Sequence, residues 1–330
     1  MATTSRPLIR LEQHMLSKYA AKHLYSDKVV QKAPVATGIT MAYAIHESEN
    51  EAPKGDELRL VMVMGYSYCK EEWAPTIDAL LTQWEALGLE TKLKILTFDN
   101  RGVGGSDAPW GKYSTKMMAA DLEALLDHVG WQKAHILGTS MGGMISQELA
   151  LRAPERLLSL ELVTTSRGRF CPDYSCLGEI VKTMVLTDKV KVAQASLCFV
   201  YTEEYMTQLF HGEVMRDILI QYHLDGSAAR GSPPTPGALG QTAALVLHYV
   251  SDDQLHQIRG QGFPILILGA GKDLAITPPH NDLLKRELAA PHVTSVDFPE
   301  ANHAVFLQYI DEYAAELIKY LRSITAGDAA

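Results

Sequence analysis

From residue 58 onward, apolar runs of strand length alternate with amphipathic segments of helix length. Few architectures accept that rhythm, and the doubly wound parallel sheet is the one it fits. The strands expected are Leu58–Met64, Leu93–Phe98, Ala134–Leu137, Leu158–Val163, Pro264–Leu268 and Val293–Phe298. Between them Ile77, Leu80, Leu81, Trp84 and Leu87 share one helical face. Met118, Leu122, Leu125 and Val129 share another, with Gly130 placed to end that helix. A last helix carries Ile310, Tyr313, Leu317 and Leu321 on one side. Ahead of the alternation, Ile39, Met41, Tyr43 and Ile45 alternate with smaller or polar residues, as antiparallel strands at a sheet edge do.

The rhythm breaks once. Roughly 95 residues separate two expected strands that a single helix would normally join. The excess is an insertion spanning residues 167–262. It contains the Pro/Gly/Ser-rich stretch Gly231-Ser232-Pro233-Pro234-Thr235-Pro236-Gly237 between segments of helical pattern, which gives a helical lid with an internal loop. The expected organisation is an N-terminal extension (1–36), an α/β core (37–166 and 263–330) and the lid. There is no internal repeat and no low-complexity tract.

Bulk properties narrow the partners. The 330 residues suffice for one large α/β domain with an inserted subdomain. A formal charge of −9, with no clustered basic face, argues against nucleic acid and favours a neutral or mildly polar small molecule. No apolar run approaches the roughly 18 to 20 residues of a membrane-spanning helix. Cys69, Cys171, Cys176 and Cys198 lack the spacing of a zinc site and are too few for a disulfide scaffold; free thiols in a reducing, cytoplasmic setting are expected. Residues 1–26 hold Arg6, Arg10, Lys18 and Lys22 against the single acid Glu12, which loosely resembles an organellar transit segment and is the alternative.

The chemistry is carried by Gly138-Thr139-Ser140-Met141-Gly142, a G-x-S-x-G pentapeptide that closes the run Ala134-His135-Ile136-Leu137 and opens a helical segment. A sharp strand-to-helix turn of this kind lifts a serine above the sheet, which makes Ser140 the candidate nucleophile. A serine hydroxyl needs a base, and the base needs an orienting group. In this topology they should follow in the order acid, histidine, at the ends of later strands. Asp273 follows Ile265-Leu266-Ile267-Leu268 through Gly269-Ala270-Gly271-Lys272, and His303 follows the final strand through Pro299-Glu300-Ala301-Asn302. His128 (helix), His135 (strand), and His248 and His256 (lid) sit elsewhere, as do Asp252, Asp253, Asp297 and Glu300; Glu161 is the fallback acid.

A developing oxyanion needs preorganised N–H donors. The Met141 amide is one candidate, and the Tyr66 amide, just past Gly65 in the loop after the Leu58–Met64 strand, is the second. The glycine-rich stretch Asp99–Ser106 lacks the ending of a phosphate-binding loop, and turn-building with charge pairing under the site is its expected role.

With these residues in view, the chain resembles the lid-bearing α/β-hydrolases of the esterase, enol-lactonase and cofactor-free haloperoxidase type over about residues 37 to 322. Asp99-Asn100-Arg101-Gly102-Val103-Gly104-Gly105-Ser106-Asp107 is similar to the family's D-x-R-G-x-G-x-S loop. Gly138–Met144 is similar to its elbow. Ala153-Pro154-Glu155-Arg156, the Gly269–Asp273 turn and Asn302-His303-Ala304 resemble later landmarks. The resemblance implies Ser140 as nucleophile, Asp273 as acid, His303 as base, Met141 and Tyr66 as oxyanion donors, and no cofactor or metal. One departure stands out: the family usually has His-Gly in the oxyanion loop, and here the pair is Met64-Gly65.

The expected activity is hydrolysis of a small to medium, largely apolar carboxylic ester or lactone. C–C bond hydrolysis, thioester or acyl transfer and peracid formation remain open on the same constellation, as does a ligand receptor built on a hydrolase scaffold. In the lid, Met184, Leu197, Phe199, Tyr201, Tyr205, Phe210, Leu245 and Tyr249 either line a pocket or pack the insertion, and packing is expected for most of them.

Overall fold

The computed structural model describes residues 24–51, 56–169, 172–210 and 212–325. The transit-like N-terminal segment therefore lies outside the described residues as far as residue 23, and so does Cys171. The strands are β1 (Gln31–Pro34), β2 (Thr40–Glu47), β3 (Glu57–Val63), β4 (Lys92–Phe98), β5 (Ala134–Thr139), β6 (Leu157–Val163), the two-residue pair β7 (Leu209–Phe210) and β8 (Glu213–Val214), β9 (Ile265–Ala270) and β10 (Val293–Phe298). All but β7 and β8 join one sheet in the order β1-β2-β4-β3-β5-β6-β9-β10. Within that sheet only β1 and β2 run antiparallel to their neighbours, and β7 and β8 pair antiparallel with each other. The expected strands each appear within a residue or two of their boundaries.

The helices are α1 (Ala74–Ala86), α2 (Thr115–His128), α3 (Met141–Arg152), α4 (Leu177–Val185), α5 (Lys189–Val200), α6 (Glu203–Met206), α7 (Met215–Arg230), α8 (Thr235–Leu247), α9 (Asp252–Gly260), α10 (Pro278–Glu287), α11 (Val305–Gln308) and α12 (Ile310–Thr325). Successive strand residues point to opposite faces, so the sheet feeds two cores. Leu60 and Met62 of β3 pack with Ile77, Leu80 and Trp84 of α1 and Leu317 and Leu321 of α12. Val61 and Val63 pack on the other side with Leu122 and Leu125 of α2 and Ile145 and Leu149 of α3. Leu87 departs from the expected helical face: it caps α1 instead of continuing it, and is 45% exposed.

The segment between β6 and β9 carries α4 to α9. Asp188 caps α5 by accepting from the Val190 amide at 3.0 Å, and Ser251 opens α9 with a capping box to Gln254. The Pro/Gly-rich stretch is a short loop over residues 231–234 that leads into α8, which begins at Thr235 with a proline in its first turn where no donor is lost. Leu255 and Ile258 of α9 join the same core as α3 and α10, beside the sheet. Among the described residues, no helix is long and apolar enough to cross a membrane. Cys69, Cys176 and Cys198 are free thiols.

The floor of the sheet holds an unusual polar group. Glu161 in β6 is fully buried; its carboxyl accepts from Ser159 Oγ, which is also 2.7 Å from His135 Nδ1 on β5. Burial pushes the Glu161 carboxyl up to about 8 and the His135 imidazole down to about 4. The two act in opposite directions on stability. An acid whose folded pKa is raised lets the unfolded chain ionise first, so its contribution declines from about pH 4.5 to pH 8. The histidine makes the fold less stable as pH falls from about 6.5 to 4. Glu161→Gln keeps the bond to Ser159 without the ionisable proton. The variant should gain stability on wild type as pH rises, by about 4 kcal/mol at pH 8 and little at pH 4.5; urea denaturation across this range checks it, and a pH-independent difference would reject it.

Candidate active site

The chain order reverses at β3: β4 lies on one side of it and β5 on the other. At such a switch point the loops leaving the strand ends part and leave a crevice. Because Val63 on β3 is level with Gly138 on β5, the loop after β3 meets the turn after β5. A Cβ on Gly65 would lie 3.1 Å from Ser140 Cβ, so the glycine allows this approach.

Ser140 occupies the turn between β5 and α3 at φ 53° and ψ −123°. A non-glycine residue held there stores about 1 to 3 kcal/mol of backbone strain, which its surroundings must offset. Its amide donates to the Val163 carbonyl at 3.0 Å, and its own carbonyl accepts from Thr165 Oγ1 at 2.6 Å. A Cβ on Gly142 would collide with the Val63 carbonyl, so α3 can start against β3 only with glycine at that position. Met141 is the first residue of α3, where an amide has no acceptor within its own helix and the helix dipole favours negative charge. Its side chain is buried in the core, which leaves the backbone as the part of Met141 that can serve the site.

Asp273 and His303 reach the crevice from the loops after β9 and β10. The Asp273 carboxylate is 2% exposed; Oδ1 accepts from the amides of Ala275 and Ile276 at 2.9 and 2.8 Å. His303 Nδ1 lies 2.9 Å from Oδ2. A carboxylate can only accept, so the bond assigns the proton to Nδ1 and leaves Nε2 as an acceptor. Ser140 and His303 line one cavity of about 320 Å³. Its walls are mostly apolar, including Met64, Phe199, Leu245, Ile276 and Phe306, with Tyr66, Glu72, Arg169 and His223 as polar members.

The competing residues are engaged elsewhere. His248 Nδ1 bonds Thr115 Oγ1 at 2.8 Å, and burial pushes its imidazole down to about 3. His135 bonds Ser159, His256 bonds Glu287 at 3.0 Å, and the His128 ring meets Tyr43. Asp297 pairs with Lys285 and Glu300 with Lys272, both at 2.7 Å. Asp252 pairs with Arg167, and the fallback acid Glu161 is inside the sheet. Of the aromatic and aliphatic residues singled out in the insertion, Phe199 and Leu245 line the cavity. Tyr201, Tyr205 and Phe210 pack in the core cluster instead, and the Met184 side chain lies outside what is described.

The Asp99–Ser106 loop supports the crevice from below. Lys70, 3% exposed, bonds Asp99 at 2.9 Å and Glu71 at 2.6 Å. Burial alone would lower the Lys70 ammonium, but these two carboxylates outweigh it and hold its pKa above the ordinary value. Potential metal-ligand atoms of Cys69, Glu71 and Asp99 lie within 4.8 Å of one another, and the Lys70 ammonium is the cation among them. Asn100 Nδ2 donates to the Met64 carbonyl at 2.9 Å. The loop after β3, lacking the usual histidine, is thus held through its backbone by Asn100.

Three supporting side chains escaped the sequence reading. Asn302 accepts from the amides of His303 and Leu274 and donates to the Tyr201 carbonyl, at 2.8, 3.1 and 2.9 Å. Gln308 accepts from the Asn302 amide at 3.0 Å. Gln241 touches the loop after β3. Asn302 was visible only as part of the Asn302-His303-Ala304 landmark, and Gln308 and Gln241 only as single amide side chains in mostly apolar segments, as Gln241 is in Gly240-Gln241-Thr242-Ala243-Ala244-Leu245.

A family model described as alpha/beta hydrolase fold matches residues 59–308. Pimeloyl-[acyl-carrier protein] methyl ester esterase of Aliivibrio salmonicida is 25% identical over 274 residues, covering 82% of this chain and 94% of that one. 3-Oxoadipate enol-lactonase 2 of Acinetobacter baylyi is 25% identical over 226 residues, 66% and 78% of the two chains. The crystal structure of the enol-lactonase from Burkholderia xenovorans LB400 shares the fold with TM-score 0.69 at 21% identity, covering 88% of this chain and 100% of that one.

The packing of α3 on β3 gives a direct test. Gly142→Ala should lower stability by about 1 to 3 kcal/mol, the usual cost of overpacking, and displace Ser140. Gly178→Ala in α4, where a Cβ meets nothing within 4 Å, should be neutral or slightly stabilising. Thermal denaturation of the pair checks this, and equal midpoints would contradict it.

Proposed function

The chain belongs to the alpha/beta hydrolase fold family, and from that premise we propose that it is a serine hydrolase of small to medium, largely apolar carboxylic esters or lactones. The observation that carries the reading is the His303–Asp273 pair, with Nδ1 and Oδ2 2.9 Å apart, opening on the same apolar cavity as Ser140. Methyl ester and enol-lactone hydrolysis named for relatives of about a quarter identity supports the same reaction class.

His303 Nε2 takes the Ser140 proton as Oγ attacks the substrate carbonyl. Asp273 holds the ring in the required tautomer and stabilises the imidazolium that forms. The tetrahedral oxyanion is received by the amides of Met141 and Tyr66, with the positive end of α3 behind the first. His303 then protonates the leaving alkoxide, and an acyl-enzyme on Ser140 remains. Water, deprotonated by His303, attacks the acyl carbon; collapse of the second oxyanion releases the acid and returns the proton to Ser140. In a lactone the leaving alcohol stays attached, and the product is the open hydroxy acid.

The cavity of about 320 Å³ lies within the range of roughly 300 to 1,000 Å³ usual for small-molecule sites. Its apolar walls favour an acyl or alcohol chain of several carbons. The helices α4 and α5 of the insertion, which contribute Ile180 and Phe199 to those walls, act as a lid over the crevice, and α8 adds Leu245 to the wall beside them.

A fluorophosphonate probe should label the wild type and leave Ser140→Ala unlabelled; an unlabelled wild type would sink the proposal. His303→Ala and Asp273→Asn should each reduce kcat about 10³-fold or more. Across p-nitrophenyl acetate, butyrate, octanoate and palmitate, kcat/KM should peak at short or medium chains and collapse at palmitate. A rise through palmitate would exclude the cavity as the acyl site.

A further inference from the structure

The loop that follows β3 is gripped by a helix of the insertion. Gln241, in the middle of α8, is 1% exposed, and its carboxamide spans two backbone segments. Its Oε1 accepts from the Ser67 amide at 2.8 Å, while Nε2 donates to the Arg101 carbonyl at 2.9 Å. The next residue, Thr242, bonds the Tyr66 hydroxyl at 2.9 Å. Ser67 stands at φ 66°, a conformation an L residue keeps only when its surroundings hold it there. Gln241 supplies one of those holds.

The grip requires α8 to lie close to the core, and two glycines permit it. A Cβ on Gly237 would collide with the Gly102 carbonyl, and one on Gly240 with the ring of Tyr113. The first turn of α8 is thereby seated on Gly102 of the Asp99–Ser106 loop and the next on Tyr113; the same loop holds the Met64 carbonyl through Asn100. The chain from Met64 to Ser67 is held at the Met64 carbonyl by Asn100, at the Ser67 amide by Gln241 and at the Tyr66 hydroxyl by Thr242.

We propose that Gln241 is a positioning residue for catalysis: it holds the Ser67 amide and so aims the Tyr66 amide at the oxyanion, making α8 a fixed brace of the oxyanion loop and not a movable part of the lid. The inference rests on the oxyanion role proposed for Tyr66 above. An amide aimed by such a brace serves the transition state more than the bound substrate, because charge on the carbonyl oxygen develops only as the serine attacks. Removing the brace should therefore appear in kcat and not in KM.

Gln241→Met keeps the size of the side chain and removes both hydrogen bonds. On a p-nitrophenyl ester hydrolysed by the wild type, it should reduce kcat about tenfold or more while KM stays within about twofold; losing an oxyanion donor outright costs about 10² to 10³ in other enzymes. A trifluoromethyl ketone that mimics the oxyanion should lose affinity in step with kcat, whereas the corresponding unreactive ether should bind as before. Thr242→Val, which deletes one hydroxyl, should show the same pattern at smaller amplitude and serves if Gln241→Met does not fold. A folded Gln241→Met with wild-type kcat, or one in which ketone and ether affinities fall together, overturns the proposal. An unlabelled Ser140 in the wild type overturns the hydrolase reading and this one with it; a labelled, active wild type separates the two failures.

Discussion

The close parallel pairing of β3 with β5 is the constraint on which the site depends. Val63 is level with Gly138, so the chain leaving β3 and the turn leaving β5 must share one small volume. They fit because side chains are missing where the two meet, at Gly65 and Gly142. The strain in the Ser140 backbone is offset by bonds to Val163 and Thr165, residues of β6 and of the chain just beyond it. The third strand thus supports a turn made by the other two, and the position of Ser140 is a property of the sheet.

Around that point, charge and hydrogen bonding do the work that hydrophobic burial cannot, because burial is non-directional. Lys70 and Asp99 form a buried ion pair whose carboxylate also receives the amides of Lys70 and Gly105. Additional hydrogen bonds of this kind are what make a buried pair tolerable. Asn100, the next residue, then holds the Met64 carbonyl. On the far side Asn302 joins the His303 loop, the Asp273 loop and the end of α5 with one carboxamide. Two small amide side chains, Asn100 and Asn302, thus carry positional information between segments that no apolar contact could align as narrowly.

The parts of this fold that were legible beforehand are those specified by local pattern. Strand boundaries followed from apolar runs, and α2 ended where Gly130, at φ 73°, could adopt a left-handed conformation. The residues of the His303–Asp273 pair were legible because topology restricts where such residues emerge. Leu87 misled because a helical face was extended one position past the last full turn, where the chain had already begun to leave the core. Tyr201 and Phe199 lie two residues apart on the same segment, yet only Phe199 lines the cavity. Nothing in their identities distinguishes them, since each is a large ring that a core or a pocket could use.

The sequence by itself determined the alternation of strands and helices and the serine in its tight turn, because each depends on residues close together in the chain, and it placed Asp273 and His303 in the loops that follow the last two strands. The tertiary structure decided what Gln241 and Asn302 do, how large the cavity is, and that α9 packs beside the sheet. Gln241 meets Ser67 across 174 positions and Arg101 across 140, and Asn302 meets Tyr201 across 101. Contacts at such separations arise only once the chain has folded, and a single sequence carries no local pattern that encodes them.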